Sequence, residues 1–387
     1  MAPPQILISA GEASSDMYAA RLATALQKRT GAHLFGMGGA QMREAGVELV
    51  ADASEIAVVG ITEVLHRLPA VWRAWRTLER EATRRKPALA ITVDSPGFNF
   101  GLARRLKKQA IRNVYFIGPQ IWAWRPGRMR WIQRRFERVL VIFPFEEELY
   151  RKAGVVVDFI GHPLVDSVHA KMTRDEFAEQ FGLDAKRQIV AILPGSRPSE
   201  IERNMPVIAE ACERIHKDHT TQFVVAVAPG LNRELFEKQL PGGGTPWVFA
   251  EGKAYDALAA ADCAIVSSGT ATVEAALLGT PMVVVYRVSR LTGLIARRLV
   301  TTRLFAMVNL ISGQQVVPEL IQDKFVAPAL EKELRALLDS PEAREQQKKE
   351  LAHVQAKLGA GGAIERAAEI IGRMISSNSH GQLSKAI

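Results

Sequence analysis

Between Ile265 and Val283 the chain reads IVSSGTATVEAALLGTPMV. An apolar run opens the stretch, Ser267-Ser268-Gly269-Thr270 breaks it, and a small-residue helix follows with Glu274 in its first turn. Gly279-Thr280-Pro281 stops that helix before a second apolar run. Strand, helix and strand in so short a space make one unit of a parallel α/β sheet. The free N–H groups of a helix start favour anions, and glycine lets a phosphate or sugar come close to the main chain. Ser268, Gly269, Thr270, Ala271 and Thr272 are therefore candidate ligand contacts. A carboxylate at that spot repels phosphate, which assigns Glu274 to sugar hydroxyls. A plain helix cap by Ser268 or Thr270 is the alternative, but Thr270 and Glu274 stand four apart and miss the three-residue spacing of a capping box. The pattern points to a nucleotide-sugar cradle.

The same alternation extends in both directions. In the first half, strands are expected at 5–10, 88–93, 113–117, 138–143 and 156–160, with helical patterns between them. A second series begins near Gln188, with strands at 188–193, 222–227, 262–267 and 282–286. The runs are apolar on both faces, as in parallel sheets covered by helices. The segment from Gly161 to Lys186 is the natural connection, and after Phe325 the chain reads as mostly helical. Two doubly wound α/β domains facing each other across a cleft are the simplest architecture. At 387 residues the chain suits two domains.

Four further segments carry candidate chemistry. After strand 188–193 comes LPGSRPSEIE, where Ser199 and Glu202 form a capping box and place a helix start near Glu200. Gly195, Ser196 and Arg197 then lie at the positive end of that helix, and the arginine's planar fork suits a diphosphate. A structural turn with a surface arginine fits the same residues. Gly11-Glu12-Ala13-Ser14-Ser15-Asp16 is another strand-turn-helix site, without the spaced glycines of a dinucleotide fingerprint. Asp94 follows strand 88–93, and a carboxylate at that end of a parallel strand points into the crevice where such sheets bind ligands. It is suited to take a proton from an attacking hydroxyl, although Asp before Ser-Pro is also a common helix start. Last, Trp122, Trp124, Arg125 and Arg128 follow strand 113–117, mixing aromatic faces with cations.

Charge is distributed unevenly. Arg67 to Arg138 holds eighteen Lys/Arg against four Asp/Glu, a net of +14 where the whole chain carries +9. Five of the six tryptophans (Trp72, Trp75, Trp122, Trp124 and Trp131) share that stretch. Within it, Ile61, Val64, Leu65, Leu68, Val71, Trp72, Trp75 and Leu78 recur at helical spacing on one stripe, interrupted by Pro69. Tryptophan beside arginine suits an anionic membrane surface. Nucleic acid suits the charge as well, and a solvated basic face over core tryptophans fits equally. No apolar run approaches a bilayer span, and the start lacks the form of a secretion signal. Cys212 and Cys263 lie far apart without metal spacing, as in a reducing cytoplasm. HExxH, GxSxG and P-loop patterns are absent from the sequence, as is any Cys/His ligand cluster.

Taken together, GEASSD, GMGGAQMREAGVELV, EIAVVGITEVL, DSPGFN, IWAWRPGR, FPFEEELY, FIGHPLVD, LPGSRPSEI, SGTATVEAALLGTPMVVVYR and NLISGQQVVPELIQ closely resemble the lipid-A-disaccharide synthase family, inverting glycosyltransferases of the GT-B fold. The matches run in the family's order from Gly11 to about Gln322. The resemblance implies condensation of UDP-2,3-diacylglucosamine with 2,3-diacylglucosamine 1-phosphate (lipid X). The products are a β-1,6-linked disaccharide 1-phosphate, on the route to lipid A, and UDP. It further implies a cytoplasmic enzyme bound peripherally to the inner face of the inner membrane through anionic lipid. It implies no cofactor, no metal and no nucleic acid, and leaves a homodimer open. Residues 1–165 would form the acceptor-binding, membrane-contacting domain. Residues 166–387 would form the UDP-sugar-binding domain, with the option that its last helices pack back on the first.

By resemblance Asp94 matches the acid and Arg197 the arginine that the family needs. Asn309 would help to hold the nucleotide, and Glu12, Ser14, Trp72, Trp75, Trp122, Trp124 and Arg125 would meet acceptor or membrane. Three departures stand out: Ser15 where the family usually has glycine, Gly97 where it has an acid, and Gly118 to Gln120 in place of a serine-containing version. The second leaves Asp94 to act alone as base. Rival readings are a soluble sugar-nucleotide epimerase, a GlcNAc transferase making peptidoglycan precursor, and a basic nucleic-acid-binding module.

Overall fold

The computed structural model describes residues 3–55, 63–119, 126–242, 244–288 and 304–383, and the elements below are those found within them. They form two compact units, Met1–Asp166 with Gly359–Ile387, and Ser167–Leu358.

The first unit is a parallel sheet of β1 (Gln5–Ala10), β2 (His33–Gly38), β3 (Glu48–Asp52), β4 (Leu89–Val93), β5 (Asn113–Phe116), β6 (Arg138–Val141) and β7 (Val157–Phe159), in the order β3-β2-β1-β4-β5-β6-β7. Its helices are α1 (Ala13–Thr30), α2 (Ala40–Glu44), α3 (Glu63–Arg85), α4 (Pro96–Lys108), α5 (Met129–Arg135) and α6 (Pro144–Lys152). The sequence reading found five of these strands and passed over β2 and β3. HLFGMG breaks its apolar run with two glycines, and ELVAD is flanked by acids. Gly36 is there for space: a Cβ on it would stand 1.8 Å from the Ile8 carbonyl of the neighbouring strand.

Helix α3 runs straight through Pro69. Its stripe divides in two. Val71, Ala74, Trp75 and Leu78 pack on the sheet with Phe35, Phe98 and Leu102, whereas Leu68 and Trp72 remain about half exposed. Burying a side chain such as Leu78 contributes about 1.5–3 kcal/mol, so the inner half of the stripe holds the helix in place.

The second unit is a parallel sheet of β8 (Ile189–Leu193), β9 (Gln222–Val227), β10 (Trp247–Glu251), β11 (Cys263–Ser267), β12 (Met282–Tyr286) and β13 (Glu319–Ile321), in the order β10-β9-β8-β11-β12-β13. It carries α7 (Arg174–Phe181), α8 (Pro198–His216), α9 (Arg233–Glu237), α10 (Ala254–Ala260), α11 (Thr270–Leu277), α12 (Met307–Ser312), α13 (Ala327–Asp339) and α14 (Pro341–Lys357). Val190, Ile192, Phe223 and Ile265 of the sheet meet Ile201, Met205 and Ile208 of α8 and Leu330 and Leu334 of α13 in one core. Cys212 and Cys263 are free, buried thiols of that core.

The last helix, α15 (Ala363–Leu383), belongs to the first unit. Asp166 accepts the Gly362 N–H at 2.9 Å, Arg366 donates to the Ile160 carbonyl at 2.8 Å, and Arg112 donates to the Met374 carbonyl at 2.7 Å. Both sheets reverse their winding once, between β1 and β4 in the first and between β8 and β11 in the second. Open parallel sheets bind ligands at such reversals.

Candidate active site

In the first unit the reversal is flanked by Glu12, just after β1, and Asp94, just after β4. Asp94 and Ser95 both hold left-handed backbone, φ 44° and 45°. Two consecutive non-glycine residues in that region need support from their surroundings. Asn99 gives it by donating to the Asp94 carbonyl at 2.7 Å and the Val93 carbonyl at 3.1 Å, while its own Oδ1 accepts the Ser9 hydroxyl at 3.0 Å. The Tyr115 hydroxyl donates to the same Asp94 carbonyl at 2.8 Å. Ser95, not Asp94, is the N-cap of α4, and it makes no side-chain cap bond. The helix-start alternative for Asp94 is thereby displaced.

Burial pushes the Asp94 carboxyl up to about 6, the Glu12 carboxylate pushes in the same direction, and the Ser95 N–H opposes both. A carboxyl tuned there is ionised at neutral pH yet basic enough to accept a proton from a reacting hydroxyl. Ser15 accepts the Glu12 N–H at 2.9 Å and donates to the Glu12 carbonyl at 2.8 Å, so this departure tightens the start of α1. Ser14 is exposed on the same turn. Gly97 is exposed, and a Cβ on it would meet open space, so the position has room for the acid usual in the family. Gly118 is tighter, because a Cβ there would press on Val139 and Val141 at 3.0 and 3.1 Å.

In the second unit two loops flank the reversal. Gly195-Ser196-Arg197 leaves β8, and Ser268-Gly269 leaves β11. Helix α8 begins at Pro198 with Arg197 as N-cap, so the expected capping box of Ser199 and Glu202 is corrected. Proline at the first helical position sets the start, and Glu200 does the polar work. Its carboxylate accepts the Ser196 N–H at 2.9 Å and pairs with Arg197 at 3.4 Å. Gly195 is left-handed (φ 143°), and a Cβ there would stand 2.5 Å from that of Glu200. The Arg197 side chain is 64% exposed, leaving its guanidinium accessible to a ligand.

Gly269 (φ 153°) is the N-cap of α11 and supplies no side-chain cap, so neither Ser268 nor Thr270 caps the helix. Ser268 instead donates to the Phe305 carbonyl at 3.2 Å, and buried Thr272 donates back to the Gly269 carbonyl at 2.8 Å. The leading N–H groups of Thr270 and Ala271 point out of the helix start. Glu274 lies in the second turn, not the first, where the Tyr255 hydroxyl donates to it at 3.0 Å. Burial raises its carboxyl, with the Tyr255 bond working against that.

Asn309, on α12, is fully buried, and its hydrogen-bonding capacity is used up by the chain from Val316 to Glu319. Nδ2 donates to the Val317 carbonyl and to Glu319, while Oδ1 accepts the N–H groups of Val316 and Val317. Glu319 in turn accepts the N–H groups of Phe305 and Ala306. The expected nucleotide contact is therefore corrected to a support, which sets Phe305 beside Ser268.

Trp75 is corrected as well. Its indole N–H donates to the Phe98 carbonyl at 3.2 Å, and its ring fills the space over Gly101. Trp72 is 46% exposed, with Arg76 stacked on it at 3.5 Å. Trp131, likewise exposed, has Arg135 over its ring at 4.9 Å. Trp122, Trp124, Arg125 and Ile61 lie outside the described residues.

Sequence reasoning missed Asn99, Glu200, Asn204, Tyr255 and Glu319. Asn204 left a signal, being an amide on the apolar stripe Ile201, Met205, Ile208 and Cys212. Among the described residues no group of His, Cys, Asp and Glu is set to hold a metal ion. None of their helices is long and apolar enough to cross a membrane.

Residues 6–371 match the family described as Lipid-A-disaccharide synthetase. The chain is 44% identical over 366 residues to the lipid-A-disaccharide synthase of Syntrophus aciditrophicus (strain SB), covering 94% of this chain and 96% of the relative. It is 45% identical over 368 residues to that of Anaeromyxobacter dehalogenans (strain 2CP-C), with 94% and 96% covered. In fold it is similar to the solved calicheamicin glycosyltransferase CalG4, with a TM-score of 0.60 at 14% identity over 97% of this chain and 99% of that one.

Proposed function

The chain belongs to the lipid-A-disaccharide synthase family, GT-B glycosyltransferases of lipid A biosynthesis, and from that premise we propose how its residues divide the transfer. The donor is UDP-2,3-diacylglucosamine and the acceptor is lipid X. The second unit holds the donor. Arg197 and the amides near Gly195 and Ser196 take the diphosphate together with the start of α11, and Glu274 takes the ribose hydroxyls. The first unit supplies the base.

Asp94 accepts the proton of the acceptor's 6-hydroxyl as that oxygen bonds to the anomeric carbon. The bond to UDP breaks with its electron pair on the departing phosphate, and the Arg197 loop and the α11 amides stabilise that charge. The observation that carries this reading is Asp94 itself. It is a carboxyl raised to about 6, on a backbone turn pinned by Asn99 and Tyr115, at the reversal of its sheet. Incubation with both acylated substrates, followed by mass spectrometry, tests it. A disaccharide monophosphate carrying both acyl sets is expected. Turnover of unacylated UDP-GlcNAc instead, by epimerisation or transfer, would sink the reading.

The base must be ionised to act. kcat/KM should therefore rise with pH through about 6 and level off above it, falling about tenfold per unit below. Glu12→Gln removes a charge that raises Asp94 and should move this limb to lower pH; a limb that stays in place counts against the pairing.

Acylated substrates require a lipid surface. The exposed Leu68 and Trp72 of α3, with Arg73 and Arg76 beside them, fit insertion at headgroup depth. Trp72→Glu should weaken flotation with phosphatidylglycerol vesicles by about tenfold, whereas Trp75→Phe should not. Equal flotation of the Trp72 variant and the parent would remove this face from the account.

A further inference from the structure

Asn204 lies on the buried side of α8, inside the core of the second unit. Its Nδ2 donates to the Pro194 carbonyl at 2.8 Å and reaches the Ser267 hydroxyl oxygen at 3.5 Å. Pro194 immediately precedes Gly195-Ser196-Arg197, and Ser267 immediately precedes Ser268-Gly269. The strands that end there are direct neighbours, with Leu193 paired to Val266. One amide thus touches the roots of both loops. We propose that Asn204 is a positioning residue that yokes the two loops into a single diphosphate site, an inference resting on the assignment of those loops to UDP.

Stability alone is a weak reason for an amide at this position. Its neighbours along the helix face are Ile201, Met205 and Ile208, all fully buried. Its Oδ1 is buried with no hydrogen-bond partner among the described residues. The unsatisfied Oδ1 is a cost, and the bond from Nδ2 to the buried Pro194 carbonyl offsets it. What leucine cannot do is donate to the roots of both loops at once. Helix α8 fixes the first loop at two points, through Glu200 on the Ser196 N–H and through Asn204 on the Pro194 carbonyl. Of these two side chains, Asn204 is the one that also reaches the strand end from which the second loop leaves. Small shifts of either loop spoil a pattern of amides aimed at one pair of phosphates.

The test is calorimetry with UDP and UMP on the full chain, alongside thermal melting. Asn204→Leu should raise the Kd for UDP about tenfold, the size expected when one well-placed hydrogen bond is lost. UMP, with one phosphate fewer, should lose less, so the preference for UDP over UMP shrinks, while the Tm falls modestly because the buried Pro194 carbonyl loses its donor. Asn204→Asp keeps the shape but turns an acceptor toward the Pro194 carbonyl. It should weaken UDP at least as much, and it serves if the leucine variant does not fold. Unchanged UDP affinity in either variant overturns the proposal. So does a lowered Tm with UDP and UMP weakened by the same factor, the mark of a merely structural residue. A parent protein that fails to bind UDP refutes the donor site itself, an outcome distinct from either of these.

Discussion

Asp94→Asn is expected to lower turnover by roughly 10²–10⁴-fold, the range spanned by loss of a general base, while leaving UDP affinity at the parent's value. Asparagine is a demanding probe because it changes little else. It has nearly the shape of aspartate and tolerates the left-handed backbone that Asp94 adopts. The Asn99 and Tyr115 bonds go to the main-chain carbonyl, so they survive the substitution. The variant should also be more stable than the parent at pH 8. Burial and Glu12 raise the folded carboxyl from 3.8 to about 6, so the folded state binds the proton more tightly than the unfolded chain. Stability is then lost as pH rises between those values, and asparagine avoids a penalty of about 1–3 kcal/mol. A dead enzyme with a raised Tm and intact UDP binding isolates the proton transfer. Near-normal turnover would end the assignment of Asp94 as base.

Arg197→Ala should weaken UDP by about 10–100-fold, the worth of a charge-assisted bidentate contact. It should reduce kcat as well, because phosphate charge is greatest as the bond to the sugar breaks. The pair with Glu200 at 3.4 Å gives little resistance to a move toward phosphate, since exposed ion pairs contribute about 0–1 kcal/mol. Arg197→Lys should recover only part of the loss, as a point charge cannot reproduce the planar fork. Calorimetry that finds the alanine variant equal to the parent in UDP affinity would move the diphosphate elsewhere.

The strand-turn-helix sites were legible because they depend on local chemistry. IVSSGTATVEAALLGTPMV announces β11, its turn and α11, and LPGSR announces the end of β8 and its turn. Asp94 was legible for the same reason, as a carboxylate at a strand's end. What escaped was information held between segments. Tyr255 and Glu319 act on residues that the fold brings near them, and Asn99, close to Asp94 in sequence, is held by Ser9 from a distant strand. Trp75 and Trp72 share one helix and one composition, and only the path of α4 beneath α3 separates a packed ring from an exposed one. Asn309 misled for a similar reason. A polar residue inside a family-like motif reads as a ligand contact until its partners are counted. Strands β2 and β3 were missed because glycines and acids interrupt their apolar runs, and burial in the sheet overrides that weak local preference.

A single displacement driven by one carboxylate base has a stereochemical signature. Proton NMR of the disaccharide made from UDP-2,3-diacylglucosamine and lipid X reads it at the newly formed anomeric centre. The account predicts a β-linkage to the 6-oxygen, with configuration inverted relative to the donor. An α-linkage, with configuration retained, would contradict it and require a second nucleophile in place of Asp94 acting alone.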